Sequence, residues 1–259
     1  MIALKSPSEI DILRENGKRL ARILESLCGE VAPDVNTASL DRIAEGLIRE
    51  AGAEPAFKGY RGYPASICTS INHEVVHGIP SPRRHLREGD ILSIDIGLLR
   101  DGLYADVATT VPVGKIGESA RHLLRVTEEG LWRGIERATI GARLSDVSHA
   151  IGSYVESEGL YVVTEYVGHG VGRQLHEDPQ IPNYGRPGRG PRLQAGMVLA
   201  IEPMVKTDPE PTRVLDDRWT VVTGNGGLAA HFEHTIVLTE TGVDVVTQGG
   251  DGRRSGQTR

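Results

Sequence analysis

Five acidic or imidazole side chains stand where a folding chain has little reason to put them. Residues 91–111, ILSIDIGLLRDGLYADVATTV, carry Asp95 and Asp106 within two apolar runs, with Asp101 and Gly102 between them. An Asp-Gly pair between two such runs is a hairpin signal. With those two residues as the loop, Arg100 faces Leu103, Gly97 faces Asp106, and Asp95 lies diagonally beside Asp106 on one face of the hairpin. Two carboxylates directed into one space lose hydration and repel each other, and a cation relieves both costs. Aspartates near a hairpin are also ordinary turn or edge residues, so the pair decides nothing without company.

The second half of the chain supplies that company. His169 lies between glycines in YVGHGVGRQLHEDP, after the strand-like YVVTEYV, where small neighbours allow close backbone approach. Glu202 interrupts MVLAIEPMV and Glu233 interrupts HFEHTIVLT, each a carboxylate inside a run that otherwise reads as a buried strand. Two Asp, two Glu and one His form a mostly oxygen donor set with one nitrogen, suited to Mn, Fe(II), Co or Zn. Four carboxylates balance two divalent ions, so the set points to a two-metal hydrolytic centre. The two cysteines, Cys28 and Cys68, form neither a zinc-type pair nor a disulfide framework.

These side chains need elements to carry them. Ser6, Pro7 and Glu9 make a capping-box start, and Ile10, Leu13, Leu20, Leu24 and Leu27 follow at helical spacing. Asn36 or Thr37 caps a second helix with an apolar face of Leu40, Ile43, Leu47 and Ile48, ended by Gly52. Residues 66–80 read as strand, turn, strand, and the hairpin follows. After Gly117 the order recurs: helical spacing through Leu123, Leu131 and Ile135, a helix over 145–159, then strands to Val246. Two helices followed by strands, twice, predict an internally duplicated α+β domain over 1–248, with halves of about 1–115 and 116–248. The tail, 249–259, has nothing to bury and is expected to be disordered.

Bulk composition excludes several classes. The 259 residues carry a formal net charge of −6, which gives no overall attraction to polyanions, so DNA is not an expected partner. No apolar run is long enough to span a bilayer, and the charges and proline near the start break any secretory pattern, so a cytoplasmic location and no membrane contact are expected. Apolar content of 39% and charged content of 25% are those of an ordinary globular protein.

At this point a resemblance can be stated. YPASICTSINHEVVHGIP, IDIGLLRDGLYAD, YVGHGVGRQLHEDP, MVLAIEPMV and HFEHTIVLT, in this order and spacing, resemble the type I methionine aminopeptidases over nearly the whole chain. The resemblance implies the pita-bread fold, an antiparallel sheet core flanked by helices. It implies removal of the initiator methionine from nascent chains whose second residue is small, with two divalent ions (Co, Mn, Fe(II) or Zn). It makes Asp95, Asp106, His169, Glu202 and Glu233 the metal ligands, with Asp106 and Glu233 bridging and Glu202 also managing a water proton. His77 and His176 would contact the reacting amide and its developing oxyanion. The methionine pocket corresponds to Tyr60, Tyr63, Cys68 and Trp219, with Leu175 where relatives often place an aromatic residue.

Rival readings remain. Proline-specific dipeptidases and Xaa-Pro aminopeptidases of the same fold share the five ligands but usually carry a large preceding domain. A non-catalytic pita-bread module that binds proteins would lose metal ligands, and all five are here. Creatine-type amidinohydrolases lack the aspartate pair. Type II methionine aminopeptidases carry a helical insertion for which the 30 positions between Glu202 and Glu233 leave little room. The implied partners are nascent polypeptide N-termini, with ribosome contact through Arg83, Arg84, Arg87, Arg186, Arg189 and Arg192, although arginine-rich loops are also ordinary solvated surface. Monomer is the family default.

Overall fold

The computed structural model describes residues 2–249, so the expected tail lies, beyond Gly249, outside the described residues. The first half runs α1 (Pro7–Gly29), α2 (Thr37–Glu50), β1 (Glu54–Pro55), β2 (Ile67–Ile71), β3 (Glu74–Val76), β4 (Ile91–Arg100) and β5 (Leu103–Pro112). The second runs α3 (Glu118–Arg137), α4 (Leu144–Ser157), β6 (Tyr161–Val162), β7 (Gly168–Gly170), β8 (Glu177–Ile181), β9 (Val198–Ile201), β10 (Met204–Lys206), β11 (Arg213–Val214), β12 (Val221–Val222), β13 (Ala229–His231), β14 (Glu233–Thr239) and β15 (Gly242–Val245). Helix starts follow the sequence signals. Ser6 Oγ accepts from Glu9 N while the Glu9 carboxylate accepts from Ser6 N, and Asn36 caps α2 through Ser39 N.

One antiparallel sheet in the order β1-β4-β5-β14-β9-β7-β8, with β2 beside β4 and β15 beside β14, crosses from one half of the chain to the other. Its strands alternate with period two. On β4 and β5, Leu92, Ile94, Ile96, Leu98, Ala105 and Val107 pack with Leu20, Leu24 and Leu27 of α1 and Leu40 and Ile48 of α2. On β9 and β14, Leu199, Ile201, Ile236 and Leu238 pack with Leu123, Leu131 and Ile135 of α3 and Val147 and Ile151 of α4. The register puts Ile96, Val107, His234 and Ile201 in one cross-strand row, so both helix pairs cover the same face. The opposite face holds the acidic residues.

Residues 66–80 form strand, turn, strand as expected, with β2 in the large sheet and β3 paired with β12 in a separate small sheet. The chain changes sheets through positive φ at Asn72 (55°) and His77 (61°). Two other expectations are corrected, the first being that MVLAIEPMV forms one strand. β9 stops at Ile201, Glu202 and Pro203 break the ladder, and β10 resumes in the sheet β13-β10-β6, because Pro203 has no N–H to continue pairing. YVVTEYV likewise pairs only at Tyr161 and Val162 before turning irregular. The small sheets, with Val75, Val76, Val163, Met204 and Val221 packed together, stand beside the large one.

Candidate metal centre

Sheet register gathers four of the five donors, and Glu202 follows directly on a paired strand. Cys68 pairs with Asp95, Asp95 with Ala108, and Ala108 with Glu233, which makes one row across four strands. Glu202 follows Ile201, whose partner His234 stands next to Glu233 in the chain. The adjacent row begins with Gly97 opposite Asp106 and contains Thr235, Ala200 and His169, since Thr235 pairs with Ala200 and Ala200 with His169. The Thr235 hydroxyl closes the β5–β14 seam in this row, donating to Asp106 O at 2.7 Å and accepting from Asp106 N at 3.2 Å. Ala108 and Ala200 are small, so the longer acidic side chains meet above them. The hairpin register is the one expected from Asp101 and Gly102.

Ligand atoms of Asp106, His169 and Glu233 lie within 4.8 Å of one another. His169 Nε2 is 3.3 Å from Glu202 Oε1, and His231 Nε2 is 3.6 Å from Glu202 Oε2. His169 Nδ1 lies 2.8 Å from Gly170 O, which assigns its proton there and leaves Nε2 as a lone pair aimed at the carboxylates. Asp95 Oδ1, Asp106 Oδ1 and Glu233 Oε1 are buried without a hydrogen-bond partner. Buried carboxylate oxygens this close are normally satisfied, and no protein donor serves these three.

The electrostatics agree. Burial, against the opposing pull of His231 and with the push of Glu202, raises Asp95 to about 7. Burial drives Asp106 well above the usual carboxylate range, helped by Asp95 and Glu202. Burial also raises Glu202, and with Asp106 beside it raises Glu233. Protonation is one way to hold four such groups together, and divalent cations are the other. Oxygen donors, one free imidazole nitrogen and orphaned buried oxygens fit divalent metal.

Beside this centre opens a cavity of about 200 Å³. Tyr60, Tyr63, Cys68, His77, Leu175, His176 and Trp219 all line it, as do the five acidic and imidazole donors. Tyr63 and Trp219 meet edge to face at 5.0 Å, and Cys68 and Leu175 are buried with them. The Tyr63 hydroxyl is shared between Ile67 O and Gly78 O at 3.1 Å each, which turns its ring body toward the cavity. Tyr60 stacks on His176 at 5.3 Å, with its hydroxyl 2.9 Å from His176 Nδ1. Burial lowers His77 to about 4, aided by His231 and His176, and lowers His176 to about 3, aided by His169 and Arg61. Both are therefore neutral imidazoles at pH 7.

Sequence reading missed Phe57, Arg61, Tyr166 and His231, which also line the cavity. His231 carried a signal, standing two residues before Glu233 in a strand-like run. Its buried ring follows from Thr110, whose hydroxyl donates to His231 O and accepts from His231 N. Phe57 sits outside any regular pattern, and Tyr166 lies in the strand-like YVVTEYV where the chain turns irregular, so only folding brings them in.

Residues 11–240 match the metallopeptidase family M24. The chain belongs to this family, a class of metal-dependent peptidases built on the pita-bread fold. Within it, the chain stands with the methionine aminopeptidases. It is 54% identical to methionine aminopeptidase 1 of Bacillus subtilis over 248 residues, covering 96% of this chain and 100% of that one. It superposes on the crystal structure of methionine aminopeptidase from Thermotoga maritima with a TM-score of 0.94 at 46% identity, covering 96% and 100% of the two chains. Prolidase from Pyrococcus furiosus, at a TM-score of 0.76 and 23% identity, shares the fold over 95% of this chain and 65% of its own.

Proposed function

We propose that the chain hydrolyses the first peptide bond of polypeptides that begin with methionine and have a small second residue, using two divalent ions held by Asp95, Asp106, His169, Glu202 and Glu233. The observation that carries this reading is the pairing of orphaned buried carboxylates with an adjoining cavity of aromatic, thiol and aliphatic surface. Bound divalent ions supply Lewis acidity for the carbonyl and make water a stronger acid. Asp106 and Glu233, in adjacent rows on neighbouring strands, would hold metal together with His169, whose ligand atom lies within 4.8 Å of theirs. Mn, Co, Fe(II) and Zn all suit the donor set.

The chain's own residues do the rest. Tyr60, Tyr63, Cys68, Leu175 and Trp219 surround an unbranched thioether with soft, polarisable surface. A carbonyl anchored there lies beside His77 and His176. With the Tyr60 hydroxyl donating to His176 Nδ1, the proton of that neutral ring is on Nε2, available to a developing oxyanion. Glu202 takes the proton of the attacking water and returns it to the leaving amine.

Release of methionine from Met-Ala-Ser, compared with cleavage of Ala-Pro-Ser, tests the reading on metal-stripped protein with and without Mn. Metal-dependent cleavage of the methionyl peptide alone is expected; cleavage of only the prolyl peptide moves the assignment to the Xaa-Pro enzymes, and metal binding without cleavage favours a binding module. Nascent chains are the natural source of such N-termini. Arg83, Arg87, Arg186, Arg189 and Arg192 are exposed for ribosome contact, whereas Arg84 is engaged by Glu74. Co-sedimentation with ribosomes that survives neutralising the five would dismiss that surface. Among the described residues no helix is long and apolar enough to cross a membrane.

A further inference from the structure

The turn that carries His176 is held from behind by the start of the chain. Lys5 has a side chain only 1% exposed, and its Nζ donates to Glu177 Oε2 at 2.7 Å and to Ala3 O at 3.1 Å. The other oxygen of Glu177 accepts from Gln174 N at 3.1 Å. One carboxylate therefore joins the Lys5 ammonium to the backbone of the turn, immediately beside His176. The path is sterically prepared, because a Cβ on Gly172 would sit 2.2 Å from Lys5 Cε. Lys5 is fixed in turn by its own N–H, which donates to Gly196 O at 2.8 Å. A second clasp, Arg173 Nε and Nη2 to Glu9 at 2.6 and 2.8 Å, lies on the surface, where water weakens it.

A buried ammonium–carboxylate pair is a poor source of net stability compared with apolar packing of equal volume. What it offers instead is direction: an ion pair with satisfied hydrogen bonds holds its groups in one geometry. We propose that Lys5 is a positioning residue for the reaction, acting through Glu177 and the 172–177 turn to hold the His176 imidazole against the reacting carbonyl. This rests on the role given to His176 above. Lys5 itself hydrogen-bonds Ala3, Glu177 and Gly196, none of which is among the five donors.

The test is a double-mutant cycle on the Mn-loaded full chain with Met-Ala-Ser, following kcat, Mn content and Tm for Lys5→Met, Lys5→Met/Glu177→Met, His176→Ala and Lys5→Met/His176→Ala. Misplacing a reacting group is expected to lower kcat of Lys5→Met by about 10- to 100-fold with Mn content retained. Removing both charges is expected to restore Tm without restoring kcat. In the His176→Ala background, Lys5→Met should change kcat less than about twofold, because the two act as one unit. Recovery of kcat together with Tm in the charge-free pair would overturn the proposal, as would a Lys5 effect undiminished without His176. Wild-type kcat in His176→Ala would sink the role of His176 itself and leave Lys5 nothing to position.

Discussion

Glu202 stands between two buried imidazoles at the end of β9. Its two oxygens face His169 and His231 at 3.3 and 3.6 Å, and it follows the last paired residue of β9, where the ladder has ended. Pro203 ends that pairing, which frees the Glu202 side chain from the strict alternation of a strand. A residue held this way can bind a cation with one oxygen and handle a proton with the other. Replacing Glu202 with Ala in Mn-replete protein is expected to lower turnover by about 10²–10⁴-fold. Substantial turnover with Mn still bound would remove Glu202 from the reaction, and loss of Mn would assign it mainly as a ligand.

Among the elements, the exit from β3 shows how local strain serves the site. His77 is a non-glycine residue at a φ of 61°, and Gly78 after it runs against β2. Thr69 N donates to Gly78 O at 2.8 Å, and a Cβ on Gly78 would come within 2.2 Å of Thr69 O. The close approach fixes the backbone on which the His77 ring stands, with Tyr166 and Trp219 edge-on at 5.6 and 6.2 Å. Strained backbone of this kind persists only where surrounding structure over-determines it. Gly78→Ala is expected to cost about 1–3 kcal/mol, the usual penalty for forced overpacking, read as a lower Tm. The same variant should lose kcat through His77; an unchanged Tm would mean that the segment yields and the geometry is not enforced.

For the molecule as a whole, the buried carboxylates link stability to pH and metal. Asp95 is raised by burial from its ordinary 3.8 to about 7, so between those values the metal-free folded chain holds more protons than the unfolded one. Stability of the metal-free protein therefore falls as pH rises through that window, and Asp106, Glu202 and Glu233, raised in the same direction, extend the fall. Cations bind the ionised carboxylates, so the loaded protein escapes this loss. The Tm of Mn-loaded protein minus that of stripped protein should grow from about pH 5 to about pH 8. A gap independent of pH would show that the four carboxylates ionise freely without metal.

Local signals carried much of this in the sequence. The Ser6–Glu9 box, Asn36 and the Asp101-Gly102 turn act over a few residues, and the structure has each of them where pattern predicts. Period two on β4 and β5 sorted aliphatic from acidic positions before any fold was known, because alternation is set by strand geometry and nothing more distant. Acidic residues in apolar runs marked Asp95, Asp106, Glu202 and Glu233, since burying a carboxylate demands a reason. The tertiary structure alone decided the rest. It separated β2 from β3, ended β9 at Ile201, turned Phe57, Tyr166 and His231 toward the cavity, and brought Lys5 to Glu177 across 172 positions. Contacts of that span leave no periodicity in the chain, because they depend on which faces meet after the helices and sheets have packed.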